Sequence, residues 1–143
     1  MRYLLLVSHG TFAPGLHSVV KMLMGDRDDV LSVSLEDGMG ADVYTQNVKD
    51  TLANVAATDE VVVLADIIGG SPLTCALNVL SEKGLLGSTI AFTGMNLPMA
   101  MAAVMELQTT DMASLQASLG EEARAGIMEY VIETSADDDE DDI

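Results

Sequence analysis

His9, Asp66 and the run Gly69-Gly70-Ser71-Pro72 are the residues of this chain whose types and settings could do chemistry together. A carboxylate that accepts a hydrogen bond from one imidazole nitrogen fixes the tautomer and leaves the other nitrogen with an exposed lone pair, as a nucleophilic histidine requires. A glycine-rich turn that opens a helix turns backbone N–H groups and the positive end of the helix dipole toward an anion. Together these point to transfer of a phosphoryl group onto His9, with Asp66 orienting the ring. Ser71, Gly70 and Gly10 would make the phosphoryl-binding surround. Gly10 also lets the backbone turn tightly without shielding the imidazole. Singly the signals are weak; their strength lies in meeting at one place.

That meeting requires particular elements. The run Tyr3-Leu4-Leu5-Leu6-Val7 ends at Ser8-His9-Gly10 and reads as a strand buried on both faces, as in a parallel sheet covered by helices. Leu16, Val19, Val20, Leu23 and Met24 fall on one face of a helix that Gly25 can end. Val30 to Leu35 alternates into a second strand, nearer the sheet edge, followed by turn residues Asp37-Gly38 and Gly40. Asp42 is the expected N-cap of a helix buried through Tyr44, Val48, Leu52 and Val55 and ending near Thr58-Asp59. Val61 to Ala65 is the most strand-like run and leads directly into Asp66. Ser71 should cap the next helix, with Pro72 at its first position, Leu73, Ala76, Leu77 and Leu80 on its apolar face, and Gly84 as its stop.

Ser88 to Thr93 is a fourth strand, and Met95-Asn96-Leu97-Pro98 leads into a methionine-rich helix from Met99 to Leu107. Leu115 and Leu119 suggest a further helix running to Arg124, whereas Ile127 to Ile132 is rich in β-formers and could be a strand. The alternation predicts an α/β fold: an open, doubly wound parallel sheet of strand order 2-1-3-4. In that order the first and third strands are neighbours at the switch point, which brings His9 to Asp66.

Composition narrows the function classes. A formal charge of −17 argues against nucleic acid and anionic membrane as partners, since both demand a cationic surface. The block Asp137 to Asp142 reads as part of a solvated, disordered acidic tail over residues 134–143. Cys75 is the single cysteine, so an internal disulfide is excluded, and without a Cys/His cluster no metal site is expected. The ten methionines read as adaptable core rather than a metal box, and no cofactor is expected. His17 lies off its helix's apolar stripe, with Lys21 at i+4, on an expected solvated face. No apolar run is long enough to span a bilayer, and the N-terminus lacks the pattern of a signal peptide, so a cytoplasmic address is expected.

The motifs also resemble a known family. Ser8-His9-Gly10 after an apolar strand, Gly15-Leu16, Met22 to Gly25, Asp66, Gly69-Gly70-Ser71-Pro72 and Asn96-Leu97-Pro98-Met99 are similar to the IIA component of mannose-family (mannose, fructose, sorbose) sugar phosphotransferase systems. The resemblance covers Met1 to Glu133 as one IIA domain, and Gly-Gly-Ser-Pro is its sharpest motif. It implies that His9 accepts a phosphoryl group from the phosphocarrier HPr through the distal ring nitrogen and passes it to a IIB component. The membrane components IIC and IID would be reached only through IIB. It further implies that Asp66 orients the imidazole, that Ser71 and nearby amides hold the phosphoryl oxygens, and that the protein is a homodimer. The last strand, antiparallel, would be exchanged onto the partner's sheet, which would make Ile127 to Ile132 that strand. Thr74 departs from the family's asparagine and is left out of the site. The chain closes in the acidic stretch rather than a linked IIB domain, so IIB is expected on a separate chain.

Rival readings fit less well. A histidine phosphatase needs an arginine before the catalytic His-Gly and further cations around the phosphate, but Ser8 stands there and the only cations are Arg2, Lys21, Arg27, Lys49, Lys83 and Arg124. A receiver-type signalling domain needs an acidic pair after its first strand to hold magnesium, and none is present. The nearer alternative is the phosphoryl-donor subunit of a dihydroxyacetone kinase, which keeps the histidine without Gly-Gly-Ser-Pro.

Overall fold

The computed structural model describes residues 1–134. In chain order the elements are β1 (Arg2–His9), α1 (Phe12–Met24), β2 (Val30–Leu35), α2 (Ala41–Thr51), β3 (Glu60–Ala65), α3 (Ser71–Glu82), a 3₁₀ turn (Leu86–Ser88), β4 (Thr89–Phe92), α4 (Leu97–Glu106) and α5 (Met112–Ala125). The four strands form one parallel sheet in the order β2-β1-β3-β4, as expected. Strand β1 is paired on both sides, with Leu4 opposite both Val30 and Val62. Leu4, Leu5, Leu6 and Val7 are all fully buried because each face of the sheet has its own helical cover. Leu4 and Leu6 pack with Leu16 and Val20 of α1, Met99 of α4, and Leu115 and Leu119 of α5. Leu5 and Val7 pack with Tyr44 and Val48 of α2 and Ala76 and Leu80 of α3. Burial of each such side chain contributes about 1.5–3 kcal/mol.

Several boundaries differ from the sequence expectations, each for a local reason. Gly40, in extended conformation, is the N-cap of α2, and Asp42 sits inside its first turn. That helix stops at Thr51, where tighter turn bonds replace the helical ones, the Ala53 N–H donating to the Asp50 carbonyl at 3.2 Å and the Val55 N–H to the Leu52 carbonyl at 3.0 Å; beyond them the Asp59 carboxylate accepts the Ala56 N–H at 2.8 Å in a turn of its own. Ser71 is the first residue of α3 rather than its cap: Gly70 is the N-cap, and the Ser71 hydroxyl is not spent on the helix. Helix α4 starts two residues before Met99, where Asn96 Oδ1 accepts the Met99 N–H at 3.0 Å. On α1, Leu23 faces outward and Ala13 joins the buried stripe. His17 is half-buried rather than solvated, with Nδ1 2.7 Å from Ser32 Oγ, and burial, then Lys21, lowers its pKa against the pull of Asp26.

Residues Ile127 to Ile132 form no strand within the single chain, and Ile127, Met128, Tyr130, Val131 and Ile132 lie exposed. Among the described residues strand β4 pairs only with β3, leaving its outer edge open. The acidic stretch 135–143 lies outside the described residues. No helix among the described residues is long and apolar enough to cross a membrane.

At the amino-terminal edge of the sheet, charge closes off the end of α4. Arg27 donates to both carboxylate oxygens of Asp29, at 2.9 and 2.7 Å, and to the Val104 carbonyl at 3.1 Å. Gln108 joins Asp29 at 3.0 Å and the Arg2 carbonyl at 2.7 Å. Arg2 donates to Glu60 at 3.0 Å and to the carbonyls of Leu107 and Thr110. The Arg27 hydrogen bond holds the buried Asp29 carboxyl below the usual carboxylate range, against the opposing effect of burial. A carboxyl that titrates lower when folded stabilises fully above its unfolded value near pH 4 and loses that contribution as the pH falls through the folded value. In urea titrations Arg27→Met should therefore be about 2–3 kcal/mol less stable than wild type at pH 7. That gap should narrow below about pH 4; a gap that stays constant in acid would show that Asp29 is not its source.

Candidate active site

The carboxyl edge of β1 is fixed on both sides of His9. Ser8 is fully buried, and its Oγ accepts the Ala13 N–H at 2.7 Å, tying the strand end to the first turn of α1. Gly10 has φ +59°, a conformation that favours glycine, and still donates to the Leu35 carbonyl at 2.9 Å. His9 thus stands at a rigid corner. The anchoring role of Ser8 was not evident in the sequence, because its partner amide lies around the turn.

Strand β3 delivers Asp66 beside it. Asp66 Oδ2 accepts the His9 backbone N–H at 2.9 Å and lies 2.9 Å from His9 Nδ1, while Oδ1 accepts the Ile67 N–H at 2.9 Å. Burial opposes the charge on Asp66, but the hydrogen bonds from the His9 backbone, the His9 ring and Ile67 outweigh it and hold the carboxyl below its ordinary range. An ionised carboxylate only accepts, so Nδ1 must carry the proton, and Nε2 of a neutral ring keeps its lone pair. The side-chain exposures, 15% for Asp66 and 45% for His9, shelter the carboxylate and leave the ring open.

Nε2 faces the start of α3. A Cβ placed on Gly70 would fall 2.6 Å from His9 Cε1 and 3.2 Å from Nε2, so only glycine lets the backbone come this close. The first intrahelical bond runs from the Thr74 N–H to the Gly70 carbonyl at 3.2 Å. The N–H groups of Ser71 and Leu73 precede it, Pro72 has none, and Ser71 itself is exposed. The positive end of the helix dipole accordingly lies beside the open nitrogen. Of the residues singled out in the sequence, His9, Asp66 and Gly70 converge directly, Gly10 adjoins them in the turn, and Ser71 follows at the helix start. Among the described residues no basic side chain pairs with His9 or Asp66; Arg2 and Arg27 are engaged at the opposite edge of the sheet. Phe12, Ile67 and Ile68, adjoining the two reactive strand ends in the chain, are exposed apolar residues.

Comparison with known proteins places the fold and the family. The family model described as "PTS system fructose IIA component" matches residues 3–119. Among curated relatives, the fructose-specific EIIA component of Bacillus subtilis is 26% identical over 65% of this chain, and the alignment spans 62% of that protein. The mannose-specific EIIAB component of Escherichia coli is 28% identical over 68% of this chain, which covers only 29% of that longer protein. Among solved structures, the mannose/sorbose-specific IIA subunit from Enterococcus faecalis superposes with a TM-score of 0.78 at 22% identity, covering 94% of this chain and 98% of that one. The IIA protein associated with the fucose utilization operon of Streptococcus pneumoniae does so with a TM-score of 0.75 at 26% identity, covering 90% and 92%. With its sheet order, helix arrangement and most of its length matched, the chain belongs to the fructose- and mannose-type IIA family of the sugar phosphotransferase system.

Proposed function

We propose that His9 is the phosphoryl carrier of this protein, loaded by phospho-HPr and discharged to a IIB component, through which alone the membrane components IIC and IID are reached. The 2.9 Å contact between Nδ1 and Asp66, with Nε2 left open against Gly70, is the observation that carries this reading. Nε2 attacks phosphorus as the bond to the donor's histidine nitrogen breaks, and that nitrogen leaves with the electron pair. Positive charge developing on the His9 ring is held by Asp66 through the Nδ1 hydrogen bond. The N–H groups of Ser71 and Leu73, the Ser71 hydroxyl and the approach allowed by Gly70 and Gly10 receive the phosphoryl oxygens. Exposed Phe12, Ile67 and Ile68 suit a protein donor, which docks apolar surface, better than a small polar one. Residues 1–133 act in this reading as one IIA domain. The family matches favour it over a kinase-donor subunit.

The functional unit proposed is a homodimer in which residues 127–132 add an antiparallel strand to the partner's open β4 edge. The exposure of Ile127, Met128, Tyr130, Val131 and Ile132 supports this, as does a groove beside β4 lined by Leu73, Phe92, Ala123 and Ile127.

With phosphoenolpyruvate, enzyme I and HPr, His9→Ala should take up no phosphate while keeping the wild-type circular dichroism spectrum; labelling of this variant would move the carrier elsewhere. Asp66→Asn should slow transfer by about 10- to 100-fold, since the ring loses its charged partner. A wild-type rate would remove Asp66 from the mechanism. Light scattering should give twice the chain mass for the full chain and a single chain mass after truncation at Gly126; an unchanged dimer would refute strand exchange.

A further inference from the structure

Tyr44 has a hydroxyl that core packing does not need. It stands on α2, fully buried among apolar side chains that a phenylalanine ring would satisfy equally. Its OH reaches across to α3 and donates to the Pro72 carbonyl at 2.8 Å. As a helix carbonyl in the first turn of α3, Pro72 O also serves the amide four residues on, so the phenol is an added tether rather than the sole partner. Burial, then the nearby Cys75 and Asp66, push the phenol well above its ordinary value, so it remains a donor throughout the working pH range.

The tether ends next to the chemistry. Pro72 is buried and lies two residues beyond Gly70. A Cβ on Gly70 would be 2.6 Å from His9 Cε1 and 3.5 Å from Pro72 Cδ, so the imidazole and the proline ring both lie within a side-chain atom's reach of the Gly70 backbone. A displacement of the first turn of α3 therefore changes the gap at Nε2 directly.

We infer that Tyr44 is a positioning residue for phosphoryl transfer, its hydroxyl acting through Pro72 and Gly70 to set the distance between the N-terminus of α3 and His9 Nε2. This rests on the assignment of His9 as the carrier. In the full chain, Tyr44→Phe should lower the maximal rate of phosphate transfer from phospho-HPr by about 3- to 10-fold, the equivalent of one net hydrogen bond. The KM for phospho-HPr should stay unchanged, because the exposed rim is untouched. In the same variant the NMR resonances of the His9 Cε1–H and the Gly70 amide should move, with the rest of the spectrum preserved.

Val48→Ala loosens the same core while keeping the hydroxyl, and at a temperature where it is folded it should transfer at the wild-type rate. The inference is overturned if Tyr44→Phe retains both rate and resonances, or if Val48→Ala loses as much rate as Tyr44→Phe. If the wild-type protein takes no phosphate on His9, the carrier assignment fails by itself, and movement or constancy of the two resonances still decides whether Tyr44 positions the ring.

Discussion

One carboxylate oxygen joins the two halves of the site. Asp66 Oδ2 accepts from both the main chain and the ring of His9, each at 2.9 Å, so orientation of the imidazole is tied to the relative position of two strand ends. Those ends are fixed by the parallel pairing of β1 with β3, in register up to Val7 opposite Ala65. The register is in turn held by side chains buried on both faces of the sheet. A slip of one residue would turn Leu4 and Leu6 toward the opposite helices and separate His9 from Asp66. The hydrophobic core and the reactive geometry thus depend on the same alignment.

The two edges of the sheet divide their labour. At the amino edge, Arg27 donates to the Val104 carbonyl of α4 and Arg2 to the Leu107 carbonyl just beyond it, while Arg27 and Gln108 also donate to the Asp29 carboxylate, so buried charge is compensated by several hydrogen bonds at once. At the carboxyl edge the only charged partner of His9 among the described residues is Asp66, and the groups nearby that suit an anion are backbone amides and a serine hydroxyl. Paired arginines suit a permanent joint, because their bonds need never open. Amides at a helix start suit a visitor, because they neither move nor titrate.

Much of this was legible in the sequence. The continuous apolar runs around Leu5 and Val63 mark strands buried on both faces, and their punctuation by His9-Gly10 and Asp66 marks the reactive edge. Strand order followed from the handedness of parallel connections, and family membership from Gly69-Gly70-Ser71-Pro72 and its companion motifs. Helix caps were less readable. Asp42 and Ser71 have the preferred cap chemistry, yet Gly40 and Gly70 hold those places, because propensity cannot tell which of several neighbouring residues takes extended backbone. Least visible were contacts made only by tertiary approach. The Ser8 hydroxyl, the clearance at Gly70 and the reach of Tyr44 to Pro72 each join residues whose local sequence gives no sign of the other.

The absence of a basic side chain paired at this edge, among the described residues, bears on how loosely a phosphoryl group would be kept. A chain of net charge −17 that receives a further dianion on helix-start amides alone, with no basic side chain paired there, would gain less electrostatic stabilisation from holding it than a site lined with cations. In the reading proposed above, the phosphoryl group would be held weakly by this chain's own charges. Nothing in the site would then trap it, and the protein would behave as a relay whose loading mirrors supply upstream and demand downstream.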